Sequence, residues 1–309
     1  LQRICTANIK NEVGKCTYTH MLNEDGGIET DLTVVCINKN HFRIISSAAT
    51  RERDKFHIKK HLSENIELKD VTDEYCVFGV FGPKSRLLMQ SISKDDFSNE
   101  NFKFATSKSI EIDDMKVWVQ RLSYVGELGY ELYIKTFNAK KIYEIIIDKG
   151  NNFNLSNCGM HAMDTMRMES GFLHWGHDMS PEENQYQANL TFTISHKKEI
   201  NFIGKEAIQK IKTKKIDRRF AMFTLINSKP GEPLLLHDEP IYLGNKIIGR
   251  TTSGNYSFNF NKNLAFGYIN NNHSNEELNE KQICIEIEKT KYPAQILSKP
   301  LKNNNFKNI

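Results

Sequence analysis

Two carboxylates and one aromatic-rich loop are the residues of this chain best placed to do chemistry. Asp31 stands at the mouth of an apolar run, DLTVVCI, just after a Gly26-Gly27 turn. A carboxylate there could act as a base or orient a cation. It could equally be a turn acid satisfied by neighbouring backbone N–H groups. Glu169 ends the segment GMHAMDTMRMESGF (159–172), three residues after Met166. A carboxylate at the edge of a buried face must be paired. Arg167 or a lysine could supply an ion pair. A flat aminopyrimidinone ring would also suit it, because two side-by-side N–H donors match a carboxylate as a guanidinium does. The segment His174-Trp175-Gly176-His177-Asp178 is dense in functional groups. Its glycine favours a loop over a helix, which argues against a shared metal. Trp175 could be a stacking wall or a core residue. Glu127, Tyr130 and Glu131, in YVGELGYELY, read as a strand–turn–strand with Glu127 at an exposed turn.

These residues need elements to hold them. Alternation and turn signals predict paired strands over 13–47, with Asn23 to Gly27 as one turn. Charges at helical spacing predict a helix over 50–65. VTDEYCVFGVFGP reads as a strand, followed by a helix at SRLLMQSI. Residues 115–134 read as two strands around Gly126 and Gly129, and 138–149 as a helix. Met160, Met163 and Met166 recur every three residues, which predicts a helix with the methionines in the core. A further helix is expected at 202–212. From Phe220 to Leu297, short β-rich runs alternate with Gly, Pro and Asn turns, the pattern of a small barrel or sandwich. The boundary falls near 211–219, a basic run read as a solvated linker. Residues 302–309 read as a frayed tail. The opening LQRICTANI looks like the middle of a helix with no start signal, so a piece of a longer protein is expected.

Length and composition bound the class. The chain has 309 residues, enough for about two domains. Hydrophobic residues make up 39% and charged residues 26%, which permits a sizeable core and excludes disorder driven by low hydrophobicity. A net charge of +4, evenly spread, is too mild for a nucleic-acid or membrane-surface protein. No apolar run approaches the roughly 18 residues of a membrane helix. Six scattered cysteines, with no C-x-x-C, fit a reducing compartment. Dinucleotide and P-loop motifs are absent.

Several strings together resemble one family. GKCTYTHMLNEDGGIETDLTV, VFGPKSR, LSYVGELGYELY, GMHAMDTMRMESGFLHWGHDM, NFIGKEAI, and GNKIIGRTTSGNYSF with KNLAFGYI follow in order. They resemble the aminomethyltransferase-like folate-binding domain of the glycine cleavage T-protein. The last strings and KYPAQIL are most similar to the C-terminal part of dimethylglycine and sarcosine dehydrogenases. The resemblance spans about residues 1–300. It implies an α+β fold of two interlocked subdomains over 1–212, N-terminally incomplete, and a C-terminal β-barrel over 213–301. It implies tetrahydrofolate as the cofactor, an N-methyl amine as the one-carbon source, and FAD only in an upstream domain outside this chain. Residue by residue, Asp31 matches the acid beside N5 and N10 of tetrahydrofolate, and Glu169 the acid that grips the pterin's amino edge. Tyr124 and Trp175 match positions near the folate pocket. Lys197 and Lys198 fall where a basic residue can meet the folate's glutamate tail.

The implied reaction is capture of an iminium carbon by N5, departure of the demethylated amine, and ring closure by N10 to 5,10-methylenetetrahydrofolate. A stand-alone aminomethyltransferase and a folate-dependent sulfonium demethylase are the nearest alternatives. A non-catalytic iron–sulfur maintenance protein is remote, because its K-G-C-[YF]-x-G-Q-E segment is lacking. The expected compartment is a cytoplasm, with the mitochondrial matrix as the alternative. Two departures stand out. Tyr186-Gln187-Ala188-Asn189-Leu190 replaces a usual P-L-E-A-G-L, with Asn189 where glycine is common; Asn is the residue next most tolerant of positive φ. Ser46 and Ser47 replace a Ser-Asn pair.

Overall fold

A computed structural model describes residues 1–10, 12–303 and 305–308. Along the chain come β1 (Cys16–Leu22), β2 (Ile28–Asn38), β3 (His41–Ser46), α1 (Arg51–Lys60), β4 (Tyr75–Phe81), α2 (Ser85–Ile92), β5 (Ser107–Ile112), β6 (Met115–Gln120) and β7 (Gly129–Lys135). Then follow α3 (Ala139–Gly150), α4 (Met160–Glu169), α5 (Lys205–Thr213), β8 (Arg218–Leu225), β9 (Pro240–Leu243), β10 (Lys246–Ser257), β11 (Lys262–Asn270), α6 (Asn275–Glu280), β12 (Ile283–Ile287) and β13 (Thr290–Leu297). The class is α+β, as expected. Among the described residues no helix is long and apolar enough to cross a membrane.

The chain forms two compact units that do not follow the linear boundary at 212. One unit takes 1–8, 19–31 and 160–303; the other takes 9–18, 32–159 and 304–309. The first contains a closed barrel in the order β10-β11-β8-β13-β12-β9. Its core is filled at alternate strand positions, Ala221, Phe223 and Leu225 on β8 and Ile283, Ile285 and Ile287 on β12, as the two-residue period of a strand requires. The second carries a sheet in the order β4-β7-β6-β5. Val80, Val117, Val119, Leu132 and Ile134 on one sheet face pack with Leu88, Met89, Ile142 and Ile146 of α2 and α3.

Several local expectations are corrected. Residues 1–9 are not helical. Ile4 and Cys5 donate to Leu1 O in a single turn, and Cys5 then bridges Met21 antiparallel to β1. Asp31 lies inside β2, as its fourth residue, not ahead of it. Met160 is 73% exposed, so the methionine stripe is only partly core, and Met168 is the buried one. The region 211–219 is no free linker. Asp217 accepts from Gln187 at 2.9 Å, and Arg218 already belongs to the barrel and pairs with Glu183 at 2.8 Å. Nor do the described residues of the expected frayed tail lie loose. Phe306 is buried, its ring 5.5 Å from that of Phe104; residues 304 and 309 lie outside the described residues. Asn189 has φ 58°, the left-handed value that favours glycine and tolerates Asn.

Candidate functional site

Glu169 closes α4 and is fully buried. Ser257, the last residue of β10, donates to its Oε1 at 2.6 Å. Asn259, in the exposed turn that follows, donates through Nδ2 to Oε2 at 2.9 Å. Among the described residues no cation pairs with Glu169. The expected ion pair with Arg167 is not formed, because Arg167 turns elsewhere. Its Nε meets Asp164 at 2.8 Å, its Nη1 meets Asp178, and its Nη2 donates to Ser253 at 2.8 Å. A carboxylate offers about four lone-pair positions. Two are taken by neutral donors, so Glu169 keeps capacity for a further donor pair.

Asp178 is the buried hub beneath this helix. Its Oδ1 accepts from Thr252 at 2.6 Å and from Ser253 at 2.7 Å. Adjacent strand residues normally point to opposite faces. Here the register of β10 against β11 slips between Thr251 and Ser253, and the bulge turns both hydroxyls onto one carboxylate. Asp178 Oδ2 also accepts from His174 N at 3.0 Å, which ties the 172–178 loop to α4. Replacing Arg167 by Met should therefore cost about 3–5 kcal/mol, since it strands the buried Asp178 charge. Equilibrium urea unfolding reads this. A loss under about 1 kcal/mol would mean that the two hydroxyls suffice to hold Asp178.

The loop reaches β2 through Trp175, whose Nε1 donates to Ile28 O at 3.0 Å. Trp175 is half-buried and packs against the core cluster that includes Leu22, Ile28 and Leu173. Its contacts are thus those of a core tryptophan that fixes the start of β2, three residues before Asp31. The same strand start needs glycine at 27, where a Cβ would fall 1.9 Å from Pro181 O.

Asp31 is partly exposed, and its Oδ1 lies 3.6 Å from Nε2 of His20, which is fully buried on β1. His20 is a residue that the sequence reading missed. Nδ1 of His20 lies 3.1 Å from Gln185 Nε2 and 3.0 Å from Thr193 Oγ1. The Thr193 hydroxyl gives its proton to Leu190 O at 2.7 Å. Gln185 Nε2 has two protons and three acceptors in reach, Thr193 Oγ1 at 2.8 Å, His20 Nδ1 at 3.1 Å and Thr6 Oγ1 at 3.2 Å; when one proton goes to Nδ1, the ring proton sits on Nε2 and faces Asp31. Burial pushes the His20 imidazole down to about 3. It is therefore neutral near pH 7, and the approach to Asp31 is that of a dipole to a charge.

A pH dependence follows from this. Between about pH 6.5 and 3 the unfolded chain protonates this histidine and the folded chain does not. Stability is thus lost as pH falls through that window, by up to about 1.4 kcal/mol per pH unit. Urea unfolding of the parent and of His20→Asn from pH 7 to pH 5 should show the steeper fall in the parent; equal slopes would refute it.

Lys198 is a correction. It is buried, its Nζ donates to Cys5 O at 2.7 Å and Ala7 O at 2.9 Å, and burial lowers its ammonium to about 8. That side chain staples the N-terminal segment. Lys197 is exposed. Tyr124 belongs to the other compact unit, half-buried in the loop between β6 and β7. The structure thus gathers Asp31, Glu169 and Trp175 onto one unit and links them through the 172–178 loop.

Comparison with known proteins agrees with this architecture. Residues 1–198 match the GCVT N-terminal domain, and residues 218–302 match the glycine cleavage T-protein C-terminal barrel domain. The chain is 33% identical over 300 residues to the mitochondrial dimethylglycine dehydrogenase of Homo sapiens, covering 96% of this chain and 34% of that protein. It therefore spans about a third of that relative's length. It is 30% identical over 273 residues to an aminomethyltransferase of Halothermothrix orenii, covering 87% of this chain and 74% of the relative. The crystal structure of the glycine cleavage system aminomethyltransferase T from Bartonella henselae shares the fold, with a TM-score of 0.82 over 98% of this chain at 20% identity. With both parts matched in order, and an aminomethyltransferase matched over most of its length, the chain belongs to the glycine cleavage T-protein family.

Proposed function

We propose that this chain binds tetrahydrofolate and transfers a one-carbon unit to it. The observation that supports this most is Glu169, a buried carboxylate held by neutral donors and by no cation among the described residues. An ion-pair role would need a cation there. A pterin's amino edge, with two parallel N–H groups, fits the remaining acceptor capacity. Asn259 lies in an exposed turn, and its carboxamide holds one Glu169 oxygen as a stand-in for a ligand N–H. On binding, the amino edge replaces that amide while Ser257 keeps its hold. Asn259→Ala should then bind tetrahydrofolate at least as tightly as the parent. A loss of about tenfold or more in calorimetry would make Asn259 a true ligand.

The folate supplies a nucleophilic amine. Asp31, with His20 behind it, is the base that orients that amine and takes its proton as the carbon–nitrogen bond forms. Neutral His20 turns its Nε2–H toward the carboxylate and keeps it aimed. Much of the remaining rate would come from holding the two reactants together. The one-carbon donor in this reading is an N-methylglycine oxidised by a flavin domain, fused or separate. Resemblance to dimethylglycine dehydrogenase supports that donor. A second reading, a stand-alone aminomethyltransferase fed by a carrier protein, is supported by the relative that the chain covers over 74% of its length. Supplying the full chain with either donor system, and following 5,10-methylenetetrahydrofolate, separates the two. Turnover only with the aminomethyl carrier would remove the flavin step.

A further inference from the structure

The β4-β7-β6-β5 sheet has a second face, opposite its apolar core, whose polar groups the folate reading does not use. Strand alternation puts Tyr75, Trp118, Gln120, Glu131 and Tyr133 there, with Trp118 opposite Tyr133 and Gln120 opposite Glu131. Arg43 of β3 reaches over this face. Its guanidinium carbon lies 4.9 Å from the Tyr75 ring centroid and 5.5 Å from that of Trp118. Among the described residues its hydrogen bond is a long one, Nη2 to Tyr75 Oη at 3.4 Å, and no carboxylate pairs with it.

Among the described residues three buried nitrogens in this cluster have no hydrogen-bond partner: Arg43 Nη1, Trp118 Nε1 and Gln120 Nε2. All three are donors. Gln120 is fully buried, and its own oxygen takes only a weak contact from Cys16 Sγ at 3.9 Å. Tyr133 donates its hydroxyl proton to Glu131 at 2.9 Å, and among the described residues none of the three nitrogens reaches its oxygen in a hydrogen bond. Each stranded buried donor costs about 1–3 kcal/mol, so three beside a charge without a counter-ion are not tolerated as a structural accident. What completes them must bring acceptors and negative charge.

The charge count selects the ligand. Among the described residues Glu131 shares this face without pairing with Arg43, and Lys135, on the same face, pairs with Glu74 at 2.7 Å, so the guanidinium is left to take one negative charge. A dianion such as phosphate would carry an excess charge next to Glu131. A carboxylate is planar, has two oxygens with about four acceptor positions, and meets a guanidinium edge well. The flanking Tyr75, Trp118 and Tyr133 rings suit a short carbon skeleton. We propose that this face binds the carboxylate of a small monoanionic organic acid, with Arg43, Trp118 and Gln120 supplying the hydrogen bonds. This site stands apart from the folate reading, since it uses none of Glu169, Asp31 or His20.

The test is proton–nitrogen NMR of the full chain, which has two tryptophans and hence two indole N–H signals. Trp118→Phe assigns them. Acetate, propionate and inorganic phosphate are the probes. Saturable movement of the Trp118 signal with either carboxylate at millimolar concentration is the expected result, with phosphate at least about tenfold weaker. Arg43→Gln should weaken the response by about tenfold or more while the Trp175 signal stays put. If Arg43→Gln unfolds, Gln120→Met serves, with circular dichroism as the check on folding. Glu169→Gln should leave the titration unchanged, so failure here and failure of the folate reading are separable. No movement of the Trp118 signal, equal movement in Arg43→Gln, or preference for phosphate would overturn the proposal; in the first case water alone satisfies the three donors.

Discussion

Glu169→Gln will weaken tetrahydrofolate binding by roughly 10–100-fold, the loss of one to two hydrogen bonds to a charged acceptor. Glutamine keeps the shape, so Ser257 can still donate to its oxygen. It replaces the second acceptor oxygen with an NH2 that faces another donor, Asn259 in the free chain and the pterin edge in the complex. The protein itself should melt at or above the parent temperature, because a buried charge with no cation is exchanged for a neutral amide. This pairing of weaker binding with undiminished stability is the signature of a residue kept for a ligand. Calorimetry with tetrahydrofolate and a thermal melt read both. A variant that binds like the parent sinks the pterin role, and one that binds and melts poorly makes Glu169 a structural residue.

Asp31→Asn should lower the rate of one-carbon transfer by about 10²–10⁴-fold while binding changes little, the usual range for removal of a general base. Asparagine cannot take the proton. It can still meet the His20 N–H through its carbonyl oxygen, so the local structure survives. His20→Gln should cost less, roughly tenfold, since it acts through Asp31 and touches no substrate. It should also move the pH–rate profile, because the group behind the base sets how readily that base is ionised. Rate against pH at saturating folate is the measurement. Unchanged turnover in Asp31→Asn would move the base elsewhere; a His20→Gln profile that overlies the parent's would leave that histidine a packing residue only.

The elements and the family were legible because their signals are local. The barrel announces itself through evenly spaced turns, and the ordered motifs around Gly26-Gly27 and Gly171 carry the likeness. Asn189 was readable for the same reason, since its left-handed φ is a property of one residue. What stayed hidden depends on residues distant in the chain. Glu169 meets Ser257 and Asn259 some ninety positions later. His20 reaches Thr193 and Gln185 across more than 160. Lys198 is basic and near a matching motif, but only the fold shows its ammonium spent on Cys5 and Ala7. The opening residues looked helical because propensity cannot see the bridge from Cys5 to Met21.

The interleaved chain path bears on biosynthesis. The unit holding Asp31, His20 and Glu169 draws on 1–8 and 19–31, yet its remaining residues begin at 160. At bacterial or eukaryotic elongation rates, roughly ten seconds separate the emergence of Asp31 from that of α4. Throughout that interval β1 and the front of β2 lack the packing that residues from 160 onward supply, and by its end the intervening unit has all but its last few residues. The nascent chain therefore matures from its middle outward, and both carboxylates of the site become ordered late. Destabilised variants of this unit should accordingly be lost to chaperone or protease capture during synthesis, before a finished chain is released.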